Sequence, residues 1–165
     1  MYKKNDPNVV TNFLIENREA YYRLAYSYVH NQDDALDIVQ EAICKALASS
    51  NKLNNASAIK SWFYRIVVNT SIDHIKKNKR FVLVEDNELE ALGPARCDQY
   101  EDYDLLEALD KLPLNNRTIV TLRFFEDMTF EEIAEVLNEN INTVKSRFYT
   151  SLKKLRLDLE EFNEY

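Results

Sequence analysis

The chain has 165 residues, of which 45% are hydrophobic and 30% are charged, and its net charge is −7 at pH 7. These values are ordinary for a globular protein of one domain, or of two small ones that would each be marginally stable alone. No apolar run approaches the ~18 residues that cross a bilayer, and MYKKNDPNVV at the start has no signal-peptide core, so we expect a cytosolic protein. Cys44 and Cys97 are widely spaced, without a CxxC motif or a nearby His, which argues against a metal site or a disulfide framework.

Two helices are expected in the first third of the chain. The first begins at Pro7, with Asp6 as its N-cap, and its apolar residues recur at helical spacing as far as Tyr28. The second runs from about Asp33 to Ser49. Its apolar stripe consists of Ala35, Ile38, Val39, Ala42, Ile43 and Ala46. Its other side carries Asp34, Asp37, Gln40, Glu41 and Lys45, which taken alone is most simply a solvated helix face.

A third helix and a linker are expected in the middle of the chain. Ser57 is a candidate N-cap for the helix, which is expected to run to about Asn78. Residues 81–104 are acidic and contain the only Gly, Gly93, beside Pro94. Apart from the short, strand-like RFVLVE, this segment has no apolar periodicity. Its like charges repel one another and predict an extended linker.

The third helix carries cations and aromatic rings. Asp73 is the single acid between Lys60 and Arg80. The cations of this segment are Lys60, Arg65, Lys76, Lys77, Lys79 and Arg80. Cations that follow a phosphate backbone, together with rings available for stacking, suit separated DNA strands. Trp62 and Phe63 also fit the core stripe, so Tyr64 is the better candidate for contact with DNA.

After the linker, one helix is expected from near Glu101 to Pro113 and another from Asn115 to Phe125. The apolar stripe of the first consists of Leu105, Leu106, Leu109 and Leu112.

The stretch TFEEIAEVLNENINTVKSRFYTSLKKLR, from Thr129 to Arg156, predicts two amphipathic helices around a short polar break. Thr129 and Glu132 have the spacing of a capping box. Asn138 suits a left-handed turn, and Asn140 can cap the second helix. The residues of that helix expected to face the core are Val144, Phe148, Leu152, Leu155 and Leu159, and those on its opposite, cationic side are Lys145, Tyr149, Lys153 and Arg156.

Two helices with a short turn, the second longer and cationic, predict a helix-turn-helix. Its second helix would enter the major groove, where short side chains near the helix N-terminus reach base edges and Lys or Arg reaches phosphates. The simpler alternative is an αα-hairpin whose basic face is only solvated.

Two long segments together resemble one protein family. DDALDIVQEAICKAL followed by SWFYRIVVNTSIDHIKKNKR resembles the polymerase-binding and promoter-melting region of extracytoplasmic-function sigma factors. LDKLPLNNRTIVTLRFFEDMTFEEIAEVLNENINTVKSRFYTSLKKLR resembles their C-terminal promoter-recognition domain. The resemblance covers nearly the whole chain, in the family's order.

The resemblance implies an all-α fold of two small helical domains, residues 1–80 and 105–165, joined by the acidic linker 81–104. It implies an alternative sigma factor that binds core RNA polymerase and directs initiation at specific promoters, with no catalytic residue, cofactor, metal or small-molecule substrate. Many relatives are held inactive by a membrane-anchored inhibitor, so an anti-sigma partner is implied as well.

Three sets of binding residues follow. The resemblance assigns Asp34, Asp37, Gln40 and Glu41 to core polymerase. The surface for an unpaired base of the downstream (−10) box lies along the polar loop 50–60 and the third helix, and comprises Lys60, Tyr64, Asn69, Lys76 and Lys77. The surface for the upstream (−35) box comprises Thr143, Lys145, Ser146, Arg147, Tyr149, Thr150 and Lys153.

Three positions depart from the family's pattern. Thr150 stands where an Arg is common, Asn138 where the turn often has Gly, and NKLNNASAIKSW lacks the usual Gly and aromatic residue before the Trp. The promoter sequence therefore cannot be transferred from a relative.

Two other functions compete with this interpretation. A dimeric helix-turn-helix regulator would need an N-terminal ligand-binding or phosphorylation domain, but residues 1–80 show neither βα alternation nor a heptad zipper. In a small helical enzyme, His30 and His74 would be candidates, but they lie far apart and are expected at the surface, and no Gly-rich loop or HExxH spacing accompanies them.

Overall fold

A computed structural model describes the backbone of residues 7–84, 105 and 107–163. The regular elements in these ranges are helical, which confirms the predicted all-α fold. The chain divides into two compact units, residues 1–95 and 96–165. Predicted features that lie outside the described residues are Asp6, Glu101, Leu106, most of the acidic linker, and the side chains of Lys79, Arg80 and Leu159.

Four helices form the described part of the first unit: α1 (Pro7–Glu16), α2 (Arg18–Val29), α3 (Gln32–Ala48) and α4 (Ile59–Val84). Helices α2, α3 and α4 pack against one another. The contact completely buries Leu24, Ala25, Ala35, Ile38, Phe63 and Val67. Full burial of a Leu, Ile or Phe side chain contributes about 1.5–3 kcal/mol each, so this three-helix contact is the main source of stability for the unit.

The single N-terminal helix expected from the sequence is divided at Asn17. The Asn17 side-chain amide donates to the Phe13 carbonyl (2.9 Å), as does its own backbone N–H (3.1 Å), and the helix ends there. On the far side of the break, the Tyr21 hydroxyl donates to the Leu14 carbonyl at 2.7 Å. Burial raises the pKa of Tyr21, against a smaller opposite influence from Arg18, so this hydroxyl remains a donor at neutral pH. The apolar spacing is continuous through the break, which explains why the pattern did not reveal it.

The junction between α2 and α3 is capped on both sides. His30 adopts a left-handed conformation (φ 51°) and ends α2. The Asn31 side chain then accepts from the Asp34 backbone N–H at 3.0 Å and begins α3, one residue before the predicted start.

The connection from α3 to α4 differs from the prediction. Two short 3-10 turns, Ser50–Lys52 and Ala56–Ala58, occupy it. Asn55, not Ser57, provides the cap, because its side-chain oxygen accepts from the Ser57 N–H at 3.1 Å. At the other end, the strand-like RFVLVE is a wrong signal, since α4 continues through Val84. Extending an existing helix fixes few residues for each added hydrogen bond and needs no new nucleus.

The described part of the second unit contains helical residues 107–110 and three longer helices, α5 (Leu114–Phe124), α6 (Phe130–Leu137) and α7 (Ile141–Asn163). Helix α7 packs against both α5 and α6. The completely buried side chains at the centre are those of Ile119, Leu122, Met128, Ile133 and Val144. Phe148 and Leu155 extend this core along α7, as their spacing predicts.

The predicted residues cap the start of α6 and form the turn between α6 and α7. The Thr129 hydroxyl accepts from the Glu132 N–H at 3.2 Å and so caps α6. The Glu132 carboxylate accepts from the same hydroxyl at 3.1 Å, whereas a full capping box would pair it with the cap's backbone N–H. Asn138 is left-handed at φ 52°, and the Asn140 side chain accepts from the Asn142 N–H at 2.8 Å.

Candidate functional site

The acidic side of α3 is exposed along its length. Asp37, Gln40 and Glu41 are exposed and Asp34 is half-exposed, while Ala35, Ile38, Val39 and Ala42 hold the opposite side in the core. A buried stripe of small and branched side chains thus fixes the helix and leaves the carboxylates available to a partner.

Two leucines on this side were not predicted as functional. Leu36 is 43% exposed and Leu47 is 50% exposed. With Gln40 between them, they recur at intervals of about one or two helical turns, so two exposed apolar side chains share a face with Gln40 beside the acids. Protein interfaces combine an apolar centre with a polar rim, and α3 presents both. The sequence signal that could have identified these two leucines is their position on the polar side of an amphipathic helix.

Side chains on the acidic face of α3 also contact α4. Glu41 and Lys45 form an ion pair at 3.2 Å, and the Lys45 ammonium group donates to the Thr70 hydroxyl of α4 at 3.2 Å. Asp34 Oδ1 lies 3.5 Å from His74 Nε2, a buried nitrogen that has no hydrogen-bond partner among the described residues. The Glu41–Lys45 pair could be predicted from its i,i+4 spacing. The contacts between α3 and α4 could be found only from the tertiary structure.

Helix α4 exposes Asn69, Lys76 and Lys77 and half-buries Lys60. A buried Asn satisfied by a neighbouring helix would have been the simplest structural role for Asn69, and its exposure argues against that role. Arg65 is exposed as well and, at 100° per residue, shares a face with Asn69 and Lys76.

The prediction for Tyr64 is wrong in this fold. Its side chain is only 1% exposed, so its ring is not available to stack on DNA. Because α4 contacts both α2 and α3, its buried arc is wider than one stripe and takes in Tyr64 beside Phe63. Trp62 is instead half-buried and lies on the same face as Arg65 and Asn69, so it replaces Tyr64 as the ring beside the cations.

Helix α7 exposes Lys145, Ser146, Tyr149, Thr150 and Lys153 and half-buries Thr143. Arg147 is half-buried because its guanidinium pairs with Glu139 in the turn at 3.3 Å. The ion pair of Arg147 therefore also links the turn to α7. The sequence had suggested only a DNA-binding role for this residue.

The ring of Phe130, at the start of α6, organises the exposed end of α7. The Lys145 ammonium nitrogen lies 5.9 Å from the ring centroid and the Arg123 guanidinium carbon 5.1 Å from it. Tyr149, which is 60% exposed, lies 6.2 Å away ring to ring. Contacts between a cation and a ring face restrict a long side chain without removing its charge, so Phe130 and Arg123 belong to this surface although sequence reasoning missed them.

Two negative observations apply to the described ranges. Within residues 7–84, 105 and 107–163, no group of three or more His, Cys, Asp or Glu side chains is arranged to hold a metal ion. None of the helices described there combines the length and the apolar character needed to traverse a bilayer.

Comparison with known proteins gives consistent matches. The family described as "Sigma-70 region 2" matches residues 14–81, and "Sigma-70, region 4" matches residues 103–155. The chain is 49% identical over 157 residues to RNA polymerase sigma factor SigV of Bacillus subtilis, with 95% of both chains covered. It is 26% identical over 174 residues to the ECF RNA polymerase sigma factor SigW of the same organism, covering 96% of this chain and 93% of that one.

Solved structures extend the comparison. The sigma factor RpoE of Bartonella quintana, in a co-crystal with the anti-sigma factor NepR, is 25% identical with a TM-score of 0.77 and covers 91% of this chain and 96% of its own. CnrH, solved in complex with the cytosolic domain of CnrY, has a TM-score of 0.73 at 20% identity, covers 95% of this chain and 91% of its own, and supports the fold alone.

Proposed function

Because the chain belongs to the extracytoplasmic-function sigma factors of RNA polymerase, we propose how its described surfaces divide the work of initiation. The protein binds core RNA polymerase and directs transcription from specific promoters. In our proposal, α3 contacts polymerase, α4 recognises the −10 box as a separated strand, and α7 recognises the −35 box in the major groove. The observation that carries this division is the exposure of one acidic and two cationic helix faces: those of α3 and α4 lie over the core of the first unit, and that of α7 over the core of the second.

The proposed domains are residues 1–80 for polymerase binding and promoter melting and 105–165 for −35 recognition. The linker predicted at 81–104 then begins only after Val84, because α4 continues to that residue. Separate modules suit a chain with a net charge of −7, because weak phosphate neutralisation limits its non-specific DNA binding. When polymerase holds both modules in register, tethering turns two weak contacts into one strong one.

For the −10 box, we propose that Asn69 forms hydrogen bonds with a base removed from the stack, with Lys60, Arg65, Lys76 and Lys77 along the phosphates. Trp62 is the ring beside this surface. Unstacking a base costs a few kcal/mol, so a polar pocket that compensates this cost only for the correct base gives discrimination.

For the −35 box, Lys145 and Ser146 lie near the N-terminal end of α7, where side chains reach base edges. Thr143, Tyr149 and Thr150 flank them, and Lys153 lies further along, where a phosphate contact is expected. Arg147 is assigned to the turn first and to DNA second, because of its pair with Glu139.

An anti-sigma factor is the proposed inhibitor, as in the Bartonella relative's complex. By family resemblance the inhibitor is membrane-anchored, whereas the sigma factor itself works in the cytoplasm with polymerase. We assign the chain no catalytic step, cofactor or small-molecule substrate.

Co-purification is the first test. Tagged protein should retain polymerase subunits through washing, and mapping of transcript starts after induced expression should reveal two shared boxes upstream of the induced starts. A protein that elutes alone at twice its mass, with no induced starts, would instead identify a dimeric regulator and end this proposal.

A further inference from the structure

Lys45 lies where the acidic face of α3 meets the DNA-directed helix α4. Its ammonium nitrogen is 3.2 Å from a Glu41 carboxylate oxygen and 3.2 Å from the Thr70 hydroxyl oxygen. Thr70 is buried and directly follows Asn69 within α4. One cation therefore contacts a proposed polymerase ligand and the immediate neighbour of a proposed base ligand.

The two contacts of Lys45 differ in how easily they are exchanged. Thr70 is fixed in the packed interface between α3 and α4, and its hydroxyl is a neutral acceptor. The side chains of Lys45 and Glu41 are 43% and 46% exposed. An exposed ion pair of this kind contributes little stability and is readily replaced by another charged group.

A cationic surface docked on α3 competes for the Glu41 carboxylate. Once Glu41 turns to that surface, Lys45 loses its counter-charge while it is still held by Thr70, the residue that follows Asn69. An ammonium group has three donors that rotate freely, so Lys45 can keep Thr70 and take a new acceptor. A DNA phosphate beside Asn69 is such an acceptor.

We propose that Lys45 exchanges Glu41 for a phosphate of the −10 strand when polymerase occupies the acidic face of α3. Lys45 is then a DNA-contacting residue only in the polymerase complex, and Glu41 restrains it in the free chain. The proposal rests on the proposed function and adds a link by which polymerase binding promotes −10 recognition.

The test measures how affinity for DNA depends on salt. The probe is a short, fluorescent single strand carrying the −10 box found by transcript mapping, and a scrambled strand is its reference. Each phosphate neutralised on a single strand changes the slope of log affinity against log salt by about −0.7. Anisotropy titrations over a range of salt concentrations therefore count contacts, which a merely structural role of Lys45 would not change.

In the free chain, Glu41→Gln should steepen this slope by about 0.7, because it releases Lys45. The double variant Glu41→Gln with Lys45→Gln should return the slope to that of the wild type. Asp33→Asn is the matched control: it removes one negative charge from an exposed position two turns earlier on α3, without touching Lys45. A thermal melt of each variant checks that the fold is retained.

In the complex with core polymerase, Lys45→Gln should make the slope shallower by about 0.7, while in the free chain it should leave the slope unchanged. Equal slopes for Glu41→Gln and Asp33→Asn, or an equal loss for Lys45→Gln with and without polymerase, would overturn the exchange. A polymerase complex that binds the −10 and scrambled strands alike would overturn the proposed function, and the exchange with it.

Discussion

Helices α4 and α7 are both cationic and both proposed to contact DNA, yet they are built differently. Helix α4 packs against α2 and α3, and its buried arc includes Phe63 and Tyr64. Helix α7 packs against α5 and α6 and leaves both Lys145 and Tyr149 in solvent. Fewer of the described side chains are buried in α7 than in α4, so α7 offers a broader exposed face for its proposed contact with a groove, and α4 a narrower polar edge for its proposed contact with a separated strand.

The largest expected effect tests whether the two cores are independent. Phe63 is completely buried and contacts the Tyr21 ring at 5.0 Å, and Phe148 contacts Phe130 at 5.2 Å. Phe63→Ala and Phe148→Ala should each destabilise their own unit by about 3–5 kcal/mol. Hydrogen exchange followed by mass spectrometry should show lost protection in the first unit for Phe63→Ala and in the second for Phe148→Ala. Equal loss in both units from either change would mean one cooperative core.

The next effect concerns the proposed polymerase-binding face of α3, which has no proposed counterpart in the second unit. Replacing Asp37 and Glu41 with Lys reverses two exposed charges, and like charges at an interface cost several kcal/mol. Binding of core polymerase in a pull-down should be lost, while the melting temperature should change little, because neither side chain is in the core. Unchanged polymerase binding would remove α3 from the proposed interface.

A smaller effect separates two positions on α7. Lys145→Ala should relax preference at one or two −35 positions, since a good base contact contributes about 1–3 kcal/mol of discrimination. Lys153→Ala should weaken binding evenly across sequences and reduce the salt slope by about one. A reporter library with a randomised −35 box distinguishes these outcomes. Identical preferences for both variants would contradict the proposed orientation of α7 in the groove.

The most selective effect is expected on α4. Asn69→Ala should leave polymerase binding intact but reduce open-complex formation, and the defect should depend on the base at one −10 position. Asn78→Ala is the matched control, because Asn78 is also exposed but lies on the opposite side of the same helix. Permanganate footprinting on promoters that vary at each −10 position provides the measurement. A defect of equal size for every base would indicate a structural role for Asn69.

The sequence by itself determined the parts that depend on neighbours along the chain. The caps at Thr129 and Asn140 and the left-handed Asn138 follow from local hydrogen bonding and steric preference. The faces of α3 and α7 follow from helical spacing, because an amphipathic helix has only one way to bury its apolar stripe. The family was also accessible, because two motifs occur in order within one chain.

The tertiary structure decided what depends on distant residues. Tyr64 is buried and Trp62 only half-buried because of where α2 and α3 lie against α4, which the periodicity of α4 does not contain. The contact of Lys45 with Thr70 joins residues 25 positions apart, and no spacing rule predicts it. Local pattern fixes which side of a helix is apolar, but the positions of its neighbours fix how far around the helix burial extends, and therefore which rings and charges remain exposed.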